Sequence, residues 1–278
     1  MKASTAIGIG LACVGLLMGA MMEGSQIGSF IDPPAILIVF GGTLGATLAS
    51  TSLESIKRIP SLYKRAMSAE HHDMSGRVDL LVSLAEKARR EGLLALESGV
   101  ADLDDEFTRK GLQLVVDGTE PEVILQVLEN EIDGGSGRAA ADRAIFEKAG
   151  GFAPTMGILG TVLGLVHVLQ NLDQPATLGP AISGAFIATL YGVASANVVF
   201  LPVASKLHHI ADAETSLREL TIEGLLAIQA GDNPRVVADK LEAFVPPEER
   251  RAVKAAEAPA GKGKGKAEAQ AEPVKAAA

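Results

Sequence analysis

Four windows of the chain carry no Asp, Glu, Lys or Arg: 3–22, 33–53, 149–172 and 174–205. Each reaches the roughly 20 apolar residues that a helix needs to cross a bilayer core. Four transmembrane helices are therefore predicted, over about 3–22, 33–53, 153–172 and 181–203. Between the second and third windows the pattern changes to amphipathic. Val78, Leu81, Val82, Leu84, Ala85, Ala88 and Leu93 recur at helical spacing on one face. A further helix is predicted over 104–117. Another begins at Pro121, with Thr119 as its cap and Glu122 closing a capping box. The run "DGGSG" at 133–137 predicts a break, and a new helix from Arg138 leads into the third span. After the fourth span the helical period continues toward Gly231. Asn233 and Pro234 then read as a restart. No strand-like alternation of useful length occurs.

The fold class that follows is an all-α integral membrane protein with four transmembrane helices. A helical cytoplasmic domain is inserted between spans 2 and 3, and span 4 extends into the cytoplasm. The predicted organisation is 1–53 for spans 1 and 2, 54–150 for the inserted domain and 151–205 for spans 3 and 4. A helical extension over 206–245 and a disordered tail over 246–278 complete it. Basic residues set the orientation. Of 25 Lys and Arg, Lys2 precedes span 1, 13 lie in 57–148 and 11 in 206–278, with none in the two short links. The positive-inside rule then places both termini and the insert in the cytoplasm. The first span is longer than a signal-peptide core and is followed at once by a second span, so it reads as a retained anchor. The single cysteine, Cys13, excludes an intramolecular disulfide and offers no metal framework. A net charge of −9 gives no reason to expect nucleic-acid binding, and "GKGKGK" at 261–266 reads as part of a solvated tail.

Chemistry within the spans is sparse. The third contains "PTMGILGTVLGLVHVL", whose Gly157, Gly160 and Gly164 fall on one helical face. Their spacing fits neither dinucleotide nor P-loop signatures, so they read as a helix-packing face. Gly41 and Gly45 in span 2, and Gly184, Ala188 and Gly192 in span 4, repeat the device. Thr161 and Thr189 are polar residues within spans 3 and 4; such hydroxyls either line a wet path or bond back to their own helix. No span holds a carboxylate or a Lys or Arg, and His167 reads as an interfacial or packed histidine. Any ion pathway therefore needs an acidic residue from a partner. His71–His72 and His208–His209 are adjacent pairs whose side chains should diverge by about 100° on a helix, which makes them poor chelates. With no nucleophile–base pair, metal cluster or phosphate loop, the sequence does not read as an enzyme.

Several stretches together resemble the MotA/PomA subunits of bacterial flagellar stators, within the MotA/TolQ/ExbB superfamily. They are "FIDPPAILIVFGGTLGATLAS", "ARREGLLALE", "PTMGILGTVLGLVHVL", "GAFIATLYGVASANVVFLPVASKL" and "GDNPRVVADKLEAFVPPEER", and the likeness covers about 1–245. The resemblance implies an inner-membrane stator subunit that couples cation flow to torque, with no cofactor. It assigns Arg89, Arg90 and Glu97 to contact with the rotor protein FliG. Arg90 and Glu97, seven positions apart, would share a face if one helix held both. It makes Pro154 and Pro202 conformational hinges, and Thr161 and Thr189 the lining of the ion path. Threonine at 161 favours Na+ over H+, since hydroxyl and carbonyl oxygens suit a hard cation. It implies five copies of the chain around two copies of a MotB/PomB-type partner, whose single span brings the aspartate, all embedded in membrane lipid. The alternatives are an ExbB/TolQ-like subunit energising outer-membrane processes, which would have three spans and no rotor-facing motif, and a non-conducting membrane scaffold.

Overall fold

The structure, a computed structural model, describes residues 4–25, 27–68, 73–101, 103–247 and 250. The described residues are helical, with no strand among them. Helix α1 is Ser4–Met22. Helix α2, Pro33–Ala49, contains one wide π turn at Leu37–Gly41. A short turn at Leu53–Lys57 leads to α3, Ile59–Met67. Helix α4 is Met74–Glu91, α5 is Glu106–Val116 and α6 is Pro121–Gln170. Helix α7 runs along Pro175–Gln229, with a second π turn at Ser195–Phe200. Helix α8 is Pro234–Leu241. Three of these, α1, α6 and α7, are long and apolar enough to cross a membrane, and α2 is apolar but shorter.

The molecule is organised by α6 and α7. They form an antiparallel pair joined by a tight turn, and α6 alone has 50 residues, a length of about 75 Å. At the end away from that turn, α4, α5 and α8 pack on the pair. Leu81, Leu96, Leu112, Ile124, Leu128, Leu220, Leu225 and Leu241 are fully buried there. Two close approaches shape this core. Leu225 seats over Gly111, where an added Cβ would lie 2.4 Å from its Cδ1, and Leu81 sits the same way over Gly224. Further along, the amphipathic α3 inserts Leu62 and Ala66 against Ile145, Phe146, Val203 and Leu207. At the apolar end, α2 packs Ala35 and Val39 on Ile187 and Ala188. Helix α1 is exposed almost all round and touches mainly α7 and α3.

Local chemistry explains most element ends. Asn233 caps α8 by accepting from the Arg235 amide at 3.1 Å, with Pro234 at the first turn, as the sequence predicts. Helix α2 stops at Ala49 rather than near 53 because Ser50 and Thr51 both donate hydroxyls to the Thr47 carbonyl. The start of α6 differs from expectation: Pro121 is in the first turn, but Glu120 occupies the cap position without a side-chain bond, and Thr119 lies outside. The predicted break at 133–137 does not occur. Three glycines there cost about 1 kcal/mol each in helix propensity, yet the helix is held by packed neighbours on both sides, Ile132 and then Ile145 and Phe146. The rings of His208 and His209 lie nearly parallel with centroids 6.2 Å apart. His71, His72 and the tail from 251 lie outside the described residues, while Arg250 still donates to the Val245 carbonyl at 2.7 Å.

Asp105 ties α5 to α4. Its carboxylate accepts from the Thr108 amide and from Arg77, the latter at 2.6 Å. Partial burial pushes its pKa up, but the bonds from Thr108 and Arg77 and the Arg77 charge outweigh that, so the net shift is downward. A lowered carboxylate pKa contributes stability above the unfolded value, and that stability is lost as pH falls through the folded value. Asp105→Asn keeps a competent cap but removes the charge opposite Arg77, and should therefore cost about 1 kcal/mol at pH 7. In urea titrations the gap from wild type should close below about pH 4.

Candidate functional site

The apolar parts of α6 and α7 meet along small residues. An added Cβ at Gly157 would lie 2.9 Å from the Ala188 carbonyl oxygen. At Gly160 and Gly164 it would meet the methyls of Ala188 and Ala185 at 2.8 Å, and at Gly192 it would fall 2.4 Å from the Ala153 carbonyl. These four glycines thus lie on one helix–helix contact. Gly184 does not join it: an added Cβ there would meet Asp32 Oδ2 at 2.7 Å. In α2 the close approach is made by Gly42 against Met156, whereas Gly41 and Gly45 face open space or their own helix.

That contact brings Thr161 and Thr189 together. Their hydroxyls are hydrogen-bonded to one another, and Thr161 Oγ1 also lies 2.8 Å from the Ala185 carbonyl and 3.1 Å from the Gly157 carbonyl. Four oxygens therefore cluster at the seam between two apolar helices, with both threonines half-buried. Neutral oxygens of this kind suit hard cations or water. Ser195 and Asn197, by contrast, bond back to the carbonyls of Gly192 and Val193 and are spent on their own helix.

Next to the threonine pair is a cavity of about 860 Å³ between α2, α6 and α7. Gly160, Gly164, Ala185 and Ala188 line it, so its wall is the same seam that holds the threonines. Asp32 and His167 also line it. Sequence reasoning passed over Asp32, because it sits one residue before an uncharged window. The signal was "DPP". Asp32 occupies the cap position of α2; Pro34 removes one of the two amides a cap can bond, and the carboxylate makes no bond to the other, that of Ala35. It is left to face the cavity. Tyr191 braces the same end by donating its hydroxyl to the Phe30 carbonyl and resting on Phe40.

Pro154 and Pro202 flank the lower part of this seam. Helix α6 runs through Pro154 without a break, and Pro202 follows directly on the π turn of α7. A proline cannot bond the carbonyl four residues back, and a wide turn is one way for a helix to absorb that loss. Gly150 admits Leu201 and Phe200 between these two levels. The prolines thus sit near one another along the pair, each removing a backbone donor there. Pro180, also inside α7, went unremarked in the sequence.

Arg89, Arg90 and Glu97 are remote from the cavity. Helix α4 ends at Glu91, Gly92 turns the chain at φ 87°, and Leu93–Leu96 form a tight turn before Glu97. No single helix holds both charges, so the helical argument for a shared face fails. What fixes their relation is the turn, anchored by fully buried Leu96 and by Lys87 donating to Ser98 at 3.2 Å. All three side chains are exposed, and none has a hydrogen bond or ion pair among the described residues.

The comparisons with known proteins agree with this architecture. The model of the MotA/TolQ/ExbB proton channel family matches residues 100–220, and that of the motility protein A N-terminal region matches residues 6–92. Motility protein A of Bacillus subtilis is 38% identical over 254 residues, covering 90% of this chain and 93% of the relative. The chemotaxis protein PomA of Vibrio alginolyticus is 36% identical over 238 residues, covering 86% and 93%. A chain of the flagellar MotAB stator complex from Bacillus subtilis superposes with a TM-score of 0.85 at 38% identity, over 91% of this chain and 98% of that one. The chain belongs to the MotA/PomA family, and it is an integral membrane protein.

Two outcomes test the geometry. Gly192→Ala places a methyl against backbone and should lower the melting temperature of the detergent-solubilised protein by several degrees, while Gly45→Ala, into open space, should leave it unchanged. Gly92→Ala forces a side chain into φ 87°, a region almost confined to glycine. It should cost about 1–3 kcal/mol in urea unfolding.

Proposed function

We propose that this chain is an ion-conducting stator subunit of a bacterial flagellar motor. The observation that carries the reading is that the Asp32 cavity abuts the seam holding the Thr161–Thr189 oxygens, with Gly160, Gly164, Ala185 and Ala188 as their common wall. Four spans cross the inner membrane, formed by α1, α2 and the apolar parts of α6 and α7. Both termini and the α4–α5–α8 unit face the cytoplasm, as the distribution of Lys and Arg favours. The cavity then opens to the outside. A carboxylate at its rim raises the local concentration of cations, and the threonine and carbonyl oxygens can replace part of a hydration shell. Sodium is favoured over protons on the strength of Thr161.

The spans of this chain hold no carboxylate, so the binding charge comes from a MotB/PomB-type partner. The oligomer is five copies around two partner chains. Each monovalent ion releases about 2.3 kcal/mol per 100 mV crossed, several times thermal energy, and loading the partner's aspartate shifts its preferred contact with the ring. Pro154 and Pro202 allow the helix pair to bend as the ring steps. Arg89, Arg90 and Glu97, exposed and unpaired, transmit torque to FliG by charge complementarity. No catalytic activity or cofactor is part of this reading.

Thr161→Ala should raise the external sodium giving half-maximal swimming speed about tenfold, the worth of one lost polar contact of about 1.4 kcal/mol, with membrane levels unchanged. Swimming that ignores sodium removal and stops with a protonophore would assign the path to protons instead. Charge reversal at Arg89 or Glu97 should lower stall torque of tethered cells while ion flux persists. Wild-type torque in both reversals would remove the rotor contact from the mechanism.

A further inference from the structure

The glycine run at 133–137 has no place in ion conduction or in rotor contact, yet it lies inside an unbroken helix. Beside it is a second cavity, of about 190 Å³, between α3, α6 and α7. Arg58, Arg65, Arg138 and Arg218 line it, against only two carboxylates, Asp142 and Glu214. The partners are unequally shared. Arg58 holds Asp142 at 2.6 Å, and Glu214 takes both Arg65 at 3.0 Å and Arg218 at 2.7 Å. Arg138 has no hydrogen bond or ion pair among the described residues. Among the described residues that line this small cavity, Arg138 is thus the guanidinium with no carboxylate of its own.

Gly135 makes the space. Arg218 Nη1 comes within 3.0 Å of where a Cβ of Gly135 would be, so a side chain there would displace the guanidinium. Gly135 and Ser136 form one wall, Arg65 reaches the cavity from α3, and Arg58 from the cap position just before it. Planar guanidiniums gathered on one cavity, with Arg138 left to bond outward, are suited to a tetrahedral oxyanion, which accepts several charge-assisted hydrogen bonds at once.

We propose that this arginine-lined cavity binds a phosphate group. The phosphate comes either from a free anion or from the headgroup of an anionic lipid. The second source is in reach because α3 directly follows the apolar helix α2 and the short turn at Leu53–Lys57. A bound phosphate would join α3 to α6 and α7, and so fix the segment that leaves the apolar helices onto the pair that carries the core.

The test uses the full chain with its co-expressed partner, purified in a neutral detergent. One arm measures the melting temperature and binding of radiolabelled inorganic phosphate. The other compares nanodiscs of phosphatidylcholine alone with nanodiscs containing phosphatidylglycerol. Phosphate should raise the melting temperature in the first arm, or phosphatidylglycerol should do so in the second, and the responding arm identifies the source. In that arm Arg138→Ala should weaken the response about tenfold. Arg235→Ala, on a distant exposed helix, should not. Arg138 is exposed and makes no internal bond, so its replacement leaves the fold intact; Arg138→Lys should restore part of the response. No response to either probe, or equal responses in Arg138→Ala and Arg235→Ala, overturns the proposal.

Discussion

The close approach of α6 and α7 at Gly157 and Gly192 is the contact on which the rest of the molecule depends. In lipid there is no hydrophobic gain in bringing two apolar helices together, so dispersion and a few polar contacts must hold them. Dispersion falls steeply with distance. With glycine on both helices and a backbone carbonyl 2.4 Å from the place of a missing Cβ, the seam leaves no room for a larger side chain. The Thr161–Thr189 bond exists only because the backbones are this close; one methyl at Gly192 would part the helices and leave both hydroxyls without their neighbours.

The same two helices then leave the apolar region and supply the core of the helical unit. Ile124 and Leu128 of α6, and Leu220, Leu225 and Ile228 of α7, are buried under α4, α5 and α8. A tilt at the threonine level must therefore appear at this core unless the helices give way between. Between the two levels the usual bonding is interrupted at Pro154 and at the π turn before Pro202. Compliance and continuity thus occur on the same pair; on the proposed reading, that is what turning an ion-driven shift into movement at a distant charged turn requires.

Much of this was legible in the sequence. Uncharged windows mark the apolar helices, Gly157, Gly160 and Gly164 mark the seam, and Asn233–Pro234 marks a helix start. The failures have physical causes. "DGGSG" reads as a break because propensity is local, whereas Ile132, Ile145 and Phe146 hold the helix through tertiary packing. Gly184 shares the spacing of a packing face but meets Asp32, a residue more than a hundred positions away. Asp32 was missed because a charge at the edge of a window looks like a boundary. Only the structure shows that its carboxylate makes no capping bond and faces the cavity. Arg90 and Glu97 looked co-facial because helical period was carried across Gly92, where the helix ends.

The distribution of charge follows from the same economy. A carboxylate midway along α6 or α7 would have to be desolvated in every copy of the chain, at a cost of several kcal/mol unless paired. Hydroxyls and carbonyls avoid that cost because they satisfy one another when no ion is present, as Thr161, Thr189 and Ala185 do here. The one carboxylate close to the seam stands at the helix start, in a cavity large enough to stay wet. On the proposed reading, this makes the chain a wall that is stable empty. Its seam oxygens are weak ligands taken singly, so an ion can pass them without being trapped. The strong, switchable charge is left to a partner that need not be repeated around the ring.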